Sequence, residues 1–213
     1  MLKHKDHFHG SDLEKIEEIY GIKKEDITSF SANVNPLGIS PRMRTALVDH
    51  IDVITTYPDR EYKSLRSCIG EYAGAPMQNI LVGNGSTELI SLFIQMVHPR
   101  KALILGPTYS EYEREISLGG GTSLYYPLKE EHDFILDVED FKQHLNEALD
   151  LLVICNPNNP TSTAITQKDM RRILDECKRH DIFVIVDETY VEFAPDMDAV
   201  DSVPLTRYYN NLV

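Results

Sequence analysis

Short apolar runs alternate with longer segments of helical periodicity through most of the chain. Apolar runs of this length, bounded by turn-forming residues, are typical of buried strands. The predicted strands cover residues 80–82, 102–105, 124–126, 151–155 and 183–186. The predicted helices between them cover residues 87–97, 109–118, 138–148 and 167–179. This alternation predicts an α/β fold, with a mostly parallel sheet that carries helices on both faces.

The first forty residues lack this alternation. An amphipathic helix is predicted around residues 12–20, and a segment rich in turn formers follows over residues 30–38. Further helices are predicted from Pro41 to about His50 and over residues 62–72. We therefore predict an N-terminal arm, residues 1–40, followed by one α/β domain over residues 41–213.

Composition narrows the class of protein. With 42% hydrophobic and 26% charged residues in 213, the chain is typical of globular proteins with one sizeable core. A net charge of −13 argues against nucleic acid as a partner, because phosphate backbones are bound by basic surfaces. The apolar runs are far shorter than the about 20 residues that span a membrane, and residues 1–6 lack the apolar core of a signal peptide. Three cysteines without a CxxC spacing favour neither disulfides nor a metal site, so we expect a cytoplasmic protein.

Two polar motifs follow predicted strands near the C-terminal end. Asn159 belongs to the segment Asn-Pro-Asn-Asn-Pro-Thr that follows the strand at 151–155, and Asp187 directly follows the strand at 183–186. The carboxyl ends of parallel strands form the crevice in which α/β proteins bind cofactors. An amide and a carboxylate there suit the phenolic oxygen and ring nitrogen of pyridoxal 5'-phosphate (PLP). A helix cap or a metal ligand is the alternative role of Asp187.

Two further strand ends carry candidate binding residues. In Gly-Asn-Gly-Ser-Thr-Glu, residues 83–88, the amides of Ser86 and Thr87 at a helix N-terminus suit a phosphate. A tight turn capped by Ser86 is the alternative, and the segment lacks the last glycine of the GxGxxG nucleotide-binding pattern. Tyr109 follows the next strand and could stack on a planar ring or simply pack. The ordered set of sites favours a cofactor more strongly than any one member does.

Taken together, these motifs resemble those of fold-type-I PLP enzymes, aminotransferase class I/II, over residues 9–213. The resemblance is strongest to the group of histidinol-phosphate aminotransferases and threonine-phosphate decarboxylases. It is carried by Tyr57-Pro58, Gly83 to Glu88, Pro107-Thr108-Tyr109, Asn156 to Thr161 and Asp187-Glu188-Thr189-Tyr190. It implies the large PLP-binding domain of that fold, here incomplete at its C-terminus, with the rest of the domain and the small domain absent.

The resemblance also implies roles for individual residues. Those of the cofactor site are phosphate binding by Ser86 and Thr87, ring stacking by Tyr109, bonds from Asn159 and Tyr190 to the phenolic oxygen, and pairing of Asp187 with the ring nitrogen. Asp187 and Tyr190 would also serve catalysis. Tyr57 would reach the cofactor phosphate of a neighbouring subunit, which implies a homodimer with shared active sites. Relatives carry glycine where Ser162 follows Thr161, so a residue free to adopt positive φ is missing here.

The N-terminal segment bears on the reaction. His9-Gly10 and the run from Ser31 to Gly38 are similar to threonine-phosphate decarboxylases of cobalamin side-chain synthesis, with Asn33 and Asn35 as substrate ligands. Turn formation before Pro36 is the alternative role of both asparagines. A histidinol-phosphate-type aminotransferase is the alternative reaction, since one fold supports several activities.

The lysine that would bind the cofactor covalently is not found in this sequence. Lys129, Lys142, Lys168 and Lys178 fall in or beside predicted surface helices. We therefore expect the chain to be the N-terminal part of a longer enzyme and to be inactive alone. A short PLP-fold protein that acts only by binding or dimerisation is the alternative of another class, although an incomplete sheet would expose an edge strand.

Overall fold

The computed structural model describes residues 12–30 and 33–213, and the chain divides into two units between Pro58 and Asp59. His9, Gly10, Ser31 and Ala32, which carry part of the resemblance, lie outside the described residues. The predicted boundary of the arm at residue 40 stays a prediction. Within the described ranges, no helix is both long and apolar enough to cross a membrane.

The described residues of the first unit form two α-helices whose ends follow from local sequence. Helix α1, Leu13–Tyr20, begins after Asp12, whose carboxylate accepts the amide of Lys15 at 3.2 Å, and ends at Gly21 with φ +67°. Helix α2, Pro41–Asp49, begins after Ser40, whose hydroxyl caps it. Short 3-10 helices cover Lys24–Asp26 and Ile51–Thr55.

The second unit alternates helices and strands as predicted. Its helices are α3 Lys63–Ala73, α4 Ser86–Val97, α5 Glu111–Leu118, α6 Val138–Lys142 and α7 Gln167–Arg179. Its strands are β1 Lys101–Gly106, β2 Thr122–Pro127, β3 Leu151–Cys155 and β4 Phe183–Asp187. Short 3-10 helices cover Met77–Asn79, Glu130–His132, Val191–Phe193 and Val203–Arg207.

The four strands form one sheet in the order β2-β1-β3-β4, and every pair is parallel. Ile104 of β1 lies beside Val153 of β3, which lies beside Ile185 of β4. Two residues further along each strand, Gly106, Cys155 and Asp187 therefore end the strands at a common level. The segment after these residues is the carboxyl edge of the sheet.

The last residues of the chain extend this sheet beside β4. The amide of Val184 donates to the carbonyl of Asn211 at 2.7 Å, and the amide of Val213 donates to the carbonyl of Val184 at 3.0 Å. Leu212 pairs with Val184 in the parallel sense. These bonds show that residues 211–213 run beside β4 as the start of a further strand would.

Helices cover both faces of the sheet, as predicted for a parallel sheet. One face packs against α4 and α5 through a cluster of apolar residues: Ile90, Ile94, Ala102, Ile104, Tyr112, Ile116, Leu151, Val153, Cys155 and Ile185. The other face packs against α6 and α7 through a larger cluster that includes Leu103, Leu105, Phe141, Leu152, Ile154, Met170, Ile173, Leu174, Cys177 and Val184. The α/β fold class is confirmed.

Two predicted elements were wrong. Residues 80–82 form no strand: they join no sheet in the described structure, and Leu81 is half exposed. The helix predicted over 138–148 ends at Lys142. Asn146 explains the early end, because its side chain bonds the carbonyl of His144 and the amide of Ala148 and so competes with helical hydrogen bonds.

Candidate functional site

Asn156 braces the loop that follows β3. Its side chain is fully buried, and both of its ends bond the backbone of Ile165: the amide nitrogen donates at 3.1 Å and the oxygen accepts at 2.7 Å. The same side chain also donates to the carbonyl of Val200 at 3.4 Å. Its backbone amide donates to the carbonyl of Asp187 at 2.8 Å. Asn156 therefore ties the loop after β3 to the end of β4.

Asn158 ties the same loop to the loop after β1. Its amide nitrogen donates to the carbonyl of Pro107 at 2.9 Å, and its oxygen accepts the hydroxyl of Thr108 at 2.8 Å. A further bond joins it to the hydroxyl of Thr161 at 2.7 Å. The side chain of Asn159, in contrast, bonds no other described residue and is half-buried. Two asparagines thus hold the loop, and the third can offer its amide to a ligand.

Ser162 takes the left-handed conformation that the resemblance assigns to glycine. Its φ is +60°, and its amide donates to the carbonyl of Asn158 at 2.8 Å. The turn is therefore kept, with a residue for which this conformation costs about 1–2 kcal/mol.

The carboxylate of Asp187 receives three hydrogen bonds at the end of β4. Its Oδ2 accepts the hydroxyl of Tyr112 at 2.8 Å. Its Oδ1 accepts the amide of Thr189 at 3.0 Å and the hydroxyl of the same residue at 2.6 Å. Because an ionised carboxylate has about four acceptor positions, the arrangement leaves room for one further donor. The residue is also half-buried, so a ligand could reach it.

Tyr109 is connected to this carboxylate indirectly, because Tyr112 contacts both residues. The rings of Tyr109 and Tyr112 meet edge-on, with centroids 5.6 Å apart and an interplanar angle of 82°. Tyr190 is half-buried, and its ring centroid lies 6.3 Å from that of Phe193. The structure thus brings Tyr109 and Asp187 together at the carboxyl edge, with Tyr112 between them.

Ser86 and Thr87 form the first turn of α4, and both are exposed. Gly85 precedes them with φ +89° and provides no side-chain cap, so the first amides of the helix have no partner within it. Only residues 98–100 separate α4 from β1, so the N-terminus of this helix, 12 residues long, points away from the amino edge of the sheet. An anion could bind at this turn.

Three predicted site residues lie in the first unit. Tyr57 is 94% exposed, and Asn33 is exposed as well. The side chain of Asn35 accepts the amide of Leu37 at 3.0 Å and donates to the carbonyl of Gly38 at 3.2 Å. These bonds are those of a turn. The cofactor and substrate roles of the three residues stay predictions.

Glu188 is a feature that sequence reasoning missed. The pKa of its carboxyl group is raised to about 7, mainly by burial and also by the neighbouring carboxylate of Asp201. The amide of Ser202, which donates to this carboxyl group at 2.7 Å, acts in the opposite direction and lowers the pKa. Burial also raises the pKa of the Cys155 thiol. The sequence does contain an indication of this site, because Glu188 is the second of two carboxylates that directly follow a buried strand.

The described part of the chain contains no cluster of three or more potential metal ligands.

The fold is that of an α/β protein in which candidate binding residues follow the strands at the carboxyl edge of a parallel sheet. Residues 25–213 match the model of the family Aminotransferase class I and II, and the chain belongs to this family. Enzymes of the family use PLP.

Threonine-phosphate decarboxylases and histidinol-phosphate aminotransferases are both among the proteins similar to this chain. The chain is 34% identical over 187 residues to the threonine-phosphate decarboxylase of Salmonella typhimurium, covering 88% of this chain and 51% of the relative. It is 29% identical over 206 residues to the histidinol-phosphate aminotransferase of Geobacillus thermodenitrificans, covering 96% and 55%. The crystal structure of the histidinol-phosphate aminotransferase from Clostridium acetobutylicum superposes with a TM-score of 0.76 at 29% identity, covering 87% and 54%. The chain thus spans about half the length of the relatives it matches.

The donor set fits PLP. Asp187 offers a carboxylate with an open acceptor position, Asn159 a side-chain amide, and α4 exposed first-turn amides. These groups match, in turn, a protonated ring nitrogen, a phenolic oxygen and a phosphate.

Proposed function

We propose that this protein is a PLP-dependent enzyme that acts on a small phosphorylated amino compound. The observation that carries the proposal is the carboxylate of Asp187, which receives three hydrogen bonds at the carboxyl edge and lies one side chain away from Tyr109. The three donors hold this carboxylate in one orientation, and its half-buried position leaves it accessible to a ring cation. When bound, PLP supplies an electron sink for a bond broken at the substrate Cα.

The residues of this chain would bind and orient the cofactor. Asp187 would hold a proton on the ring nitrogen, and Tyr109 would stack on the ring face. Asn159 and Tyr190 would donate to the phenolic oxygen, and Ser86 and Thr87 would bind the phosphate through amides and hydroxyls. The side chains of Asn156 and Asn158 hold the loop after β3 through hydrogen bonds, so the side chain of Asn159 remains available for the cofactor.

Decarboxylation of a threonine-phosphate-like substrate is our first candidate reaction, and transamination of a histidinol-phosphate-like substrate is the second. Relatives with both activities match the chain. The segment Asn33-Val34-Asn35-Pro36 supports the first, because it resembles the decarboxylase pattern, and Asn33 and Asn35 would then contact the substrate.

An assay of the gene-encoded protein at its full length distinguishes the reactions. We expect release of carbon dioxide from O-phosphothreonine without amino transfer to 2-oxoglutarate. Amino transfer from histidinol phosphate to 2-oxoglutarate would instead establish the second candidate. Absence of both activities, together with PLP binding, would support a protein that acts by binding alone.

We also propose that the chain in hand is inactive by itself. Lys129, Lys168 and Lys178 are exposed, and Lys142 lies on α6, so none of these four is placed as a covalent anchor for PLP. Borohydride treatment of the chain with PLP should leave no single lysine modified, and a stable pyridoxyl group on one lysine would contradict this proposal.

The assembly and compartment are proposals as well. We propose a cytoplasmic homodimer in which Tyr57 reaches the phosphate bound by the neighbouring subunit. The exposed side chain of Tyr57 supports this contact with a neighbouring subunit. Sedimentation as a monomer at all concentrations would contradict it.

A further inference from the structure

Tyr112 lies between two of the residues proposed to hold the cofactor. Its side chain is fully buried in the core that α4 and α5 form against the sheet. Its hydroxyl donates to Oδ2 of Asp187 at 2.8 Å, and its ring contacts the ring of Tyr109 edge-on. One buried side chain therefore contacts both candidates through different atoms.

The hydroxyl of Tyr112 is a constant donor. Burial raises the pKa of Tyr112 far above its ordinary value, and the charge of the neighbouring Asp187 raises it further. The phenol therefore keeps its proton across the pH range in which proteins are folded, and the direction of this hydrogen bond is constant.

Among the described residues, the hydroxyl of Tyr112 also provides the hydrogen bond that joins the side-chain carboxylate of Asp187 to another element. The other hydrogen bonds to the carboxylate come from Thr189, two residues further along the chain. A carboxylate bonded only within its own turn could move with that turn. The bond from Tyr112 ties it to α5, which also follows the loop that carries Tyr109.

We propose that Tyr112 is a positioning residue that fixes the Asp187 carboxylate and the Tyr109 ring in the relative arrangement that bound PLP requires. The inference rests on the proposed function, because it assumes that Asp187 and Tyr109 contact PLP. A preorganised pair of contacts loses less conformational entropy on binding, so the expected effect is on cofactor affinity and on the fixed orientation of the ring.

The test compares two Tyr→Phe substitutions that remove the same kind of bond. In Tyr112→Phe the bond to Asp187 is lost. The matched control is Tyr126→Phe, since Tyr126 is buried and its hydroxyl donates to Asp140 at 2.7 Å, on the other face of the sheet. We expect Tyr112→Phe to weaken PLP binding about tenfold, the effect of one hydrogen bond to a charged group, and to reduce the visible circular dichroism of bound PLP at saturation. The control should change neither quantity.

A third substitution separates failure of this inference from failure of the proposed function. Asp187→Ala should weaken PLP binding, and adding Tyr112→Phe to it should weaken binding no further, because Tyr112 acts through Asp187. If the unchanged protein does not bind PLP, or if Asp187→Ala binds it equally well, the proposed function and the inference both fail. If Asp187→Ala weakens binding while Tyr112→Phe matches the control, the inference alone fails.

A second measurement keeps the hydroxyl of Tyr112 in place and so needs no substitution. In protein labelled with fluorotyrosine, addition of PLP should shift the fluorine resonance of residue 112 and leave that of residue 126 unchanged. This holds even if Tyr112→Phe does not fold. Equal shifts, or no shift at residue 112 on saturation, would overturn the positioning role.

Discussion

Replacing Glu188 with glutamine should make the protein more stable at neutral and alkaline pH and leave its stability near pH 4 unchanged. Glu188 is half-buried, accepts the amide of Ser202 at 2.7 Å and lies near the carboxylate of Asp201. Glutamine keeps an oxygen for Ser202 and offers an N–H to Asp201, so it imitates the protonated acid at every pH.

The sign and size of the effect follow from the pKa of Glu188. It rises from the ordinary 4.5 to about 7 in the folded chain, mainly through burial. Between these values the folded chain holds a proton that the unfolded chain releases, so stability falls as pH rises from about 4.5 and levels off above about 7. At about 1.4 kcal/mol per pH unit, the full loss is about 3 kcal/mol.

Urea unfolding of both proteins between about pH 4 and about pH 8 measures this difference directly. The free energies of unfolding should agree at the acid end and diverge by about 3 kcal/mol at the alkaline end, with Glu188→Gln the more stable. The exposed carboxylate of Glu131 provides the control, and Glu131→Gln should follow the unchanged protein throughout. Curves for Glu188→Gln and the unchanged protein that stay parallel across the range would refute the argument that burial keeps Glu188 protonated.

Two further substitutions test the loop after β3. Ser162→Gly should raise the free energy of unfolding by about 0.5–1 kcal/mol, because relief of the left-handed conformation exceeds the entropy that glycine adds to the unfolded chain. The control is Ser110→Gly, which should lower the free energy of unfolding because Ser110 has an ordinary φ of −71°. Equal effects of Ser162→Gly and Ser110→Gly in urea unfolding would contradict this reasoning. Asn156→Ala should cost about 2–4 kcal/mol, because it leaves buried backbone groups unpaired. Asn146→Ala, on the surface, should cost under about 1 kcal/mol, and a thermal scan that ranks the two equally would argue against the brace.

Some elements could be predicted closely from the sequence because their signals are local. Strand β3 is an apolar run of five residues, all buried, and was predicted with its observed bounds. Helix α7 was also predicted to the residue, since Thr166 caps its start, apolar side chains recur at helical spacing, and basic residues close it. The failures are equally instructive: the apolar residues 80–82 have strand composition, but no strand pairs with them in the described structure.

By itself, the sequence determined the α/β class, the family motifs and the order in which candidate residues follow the strands. Only the tertiary structure decided which of them meet. The order β2-β1-β3-β4 brings the ends of β1, β3 and β4 together, and Tyr112 reaches Asp187 across 75 residues of chain. It also separated Asn156 and Asn158, which brace the loop, from Asn159, whose side chain is available. Periodicity reports which face of an element is buried, whereas a hydrogen bond between distant residues depends on strand order and register, which leave no periodic trace in the sequence.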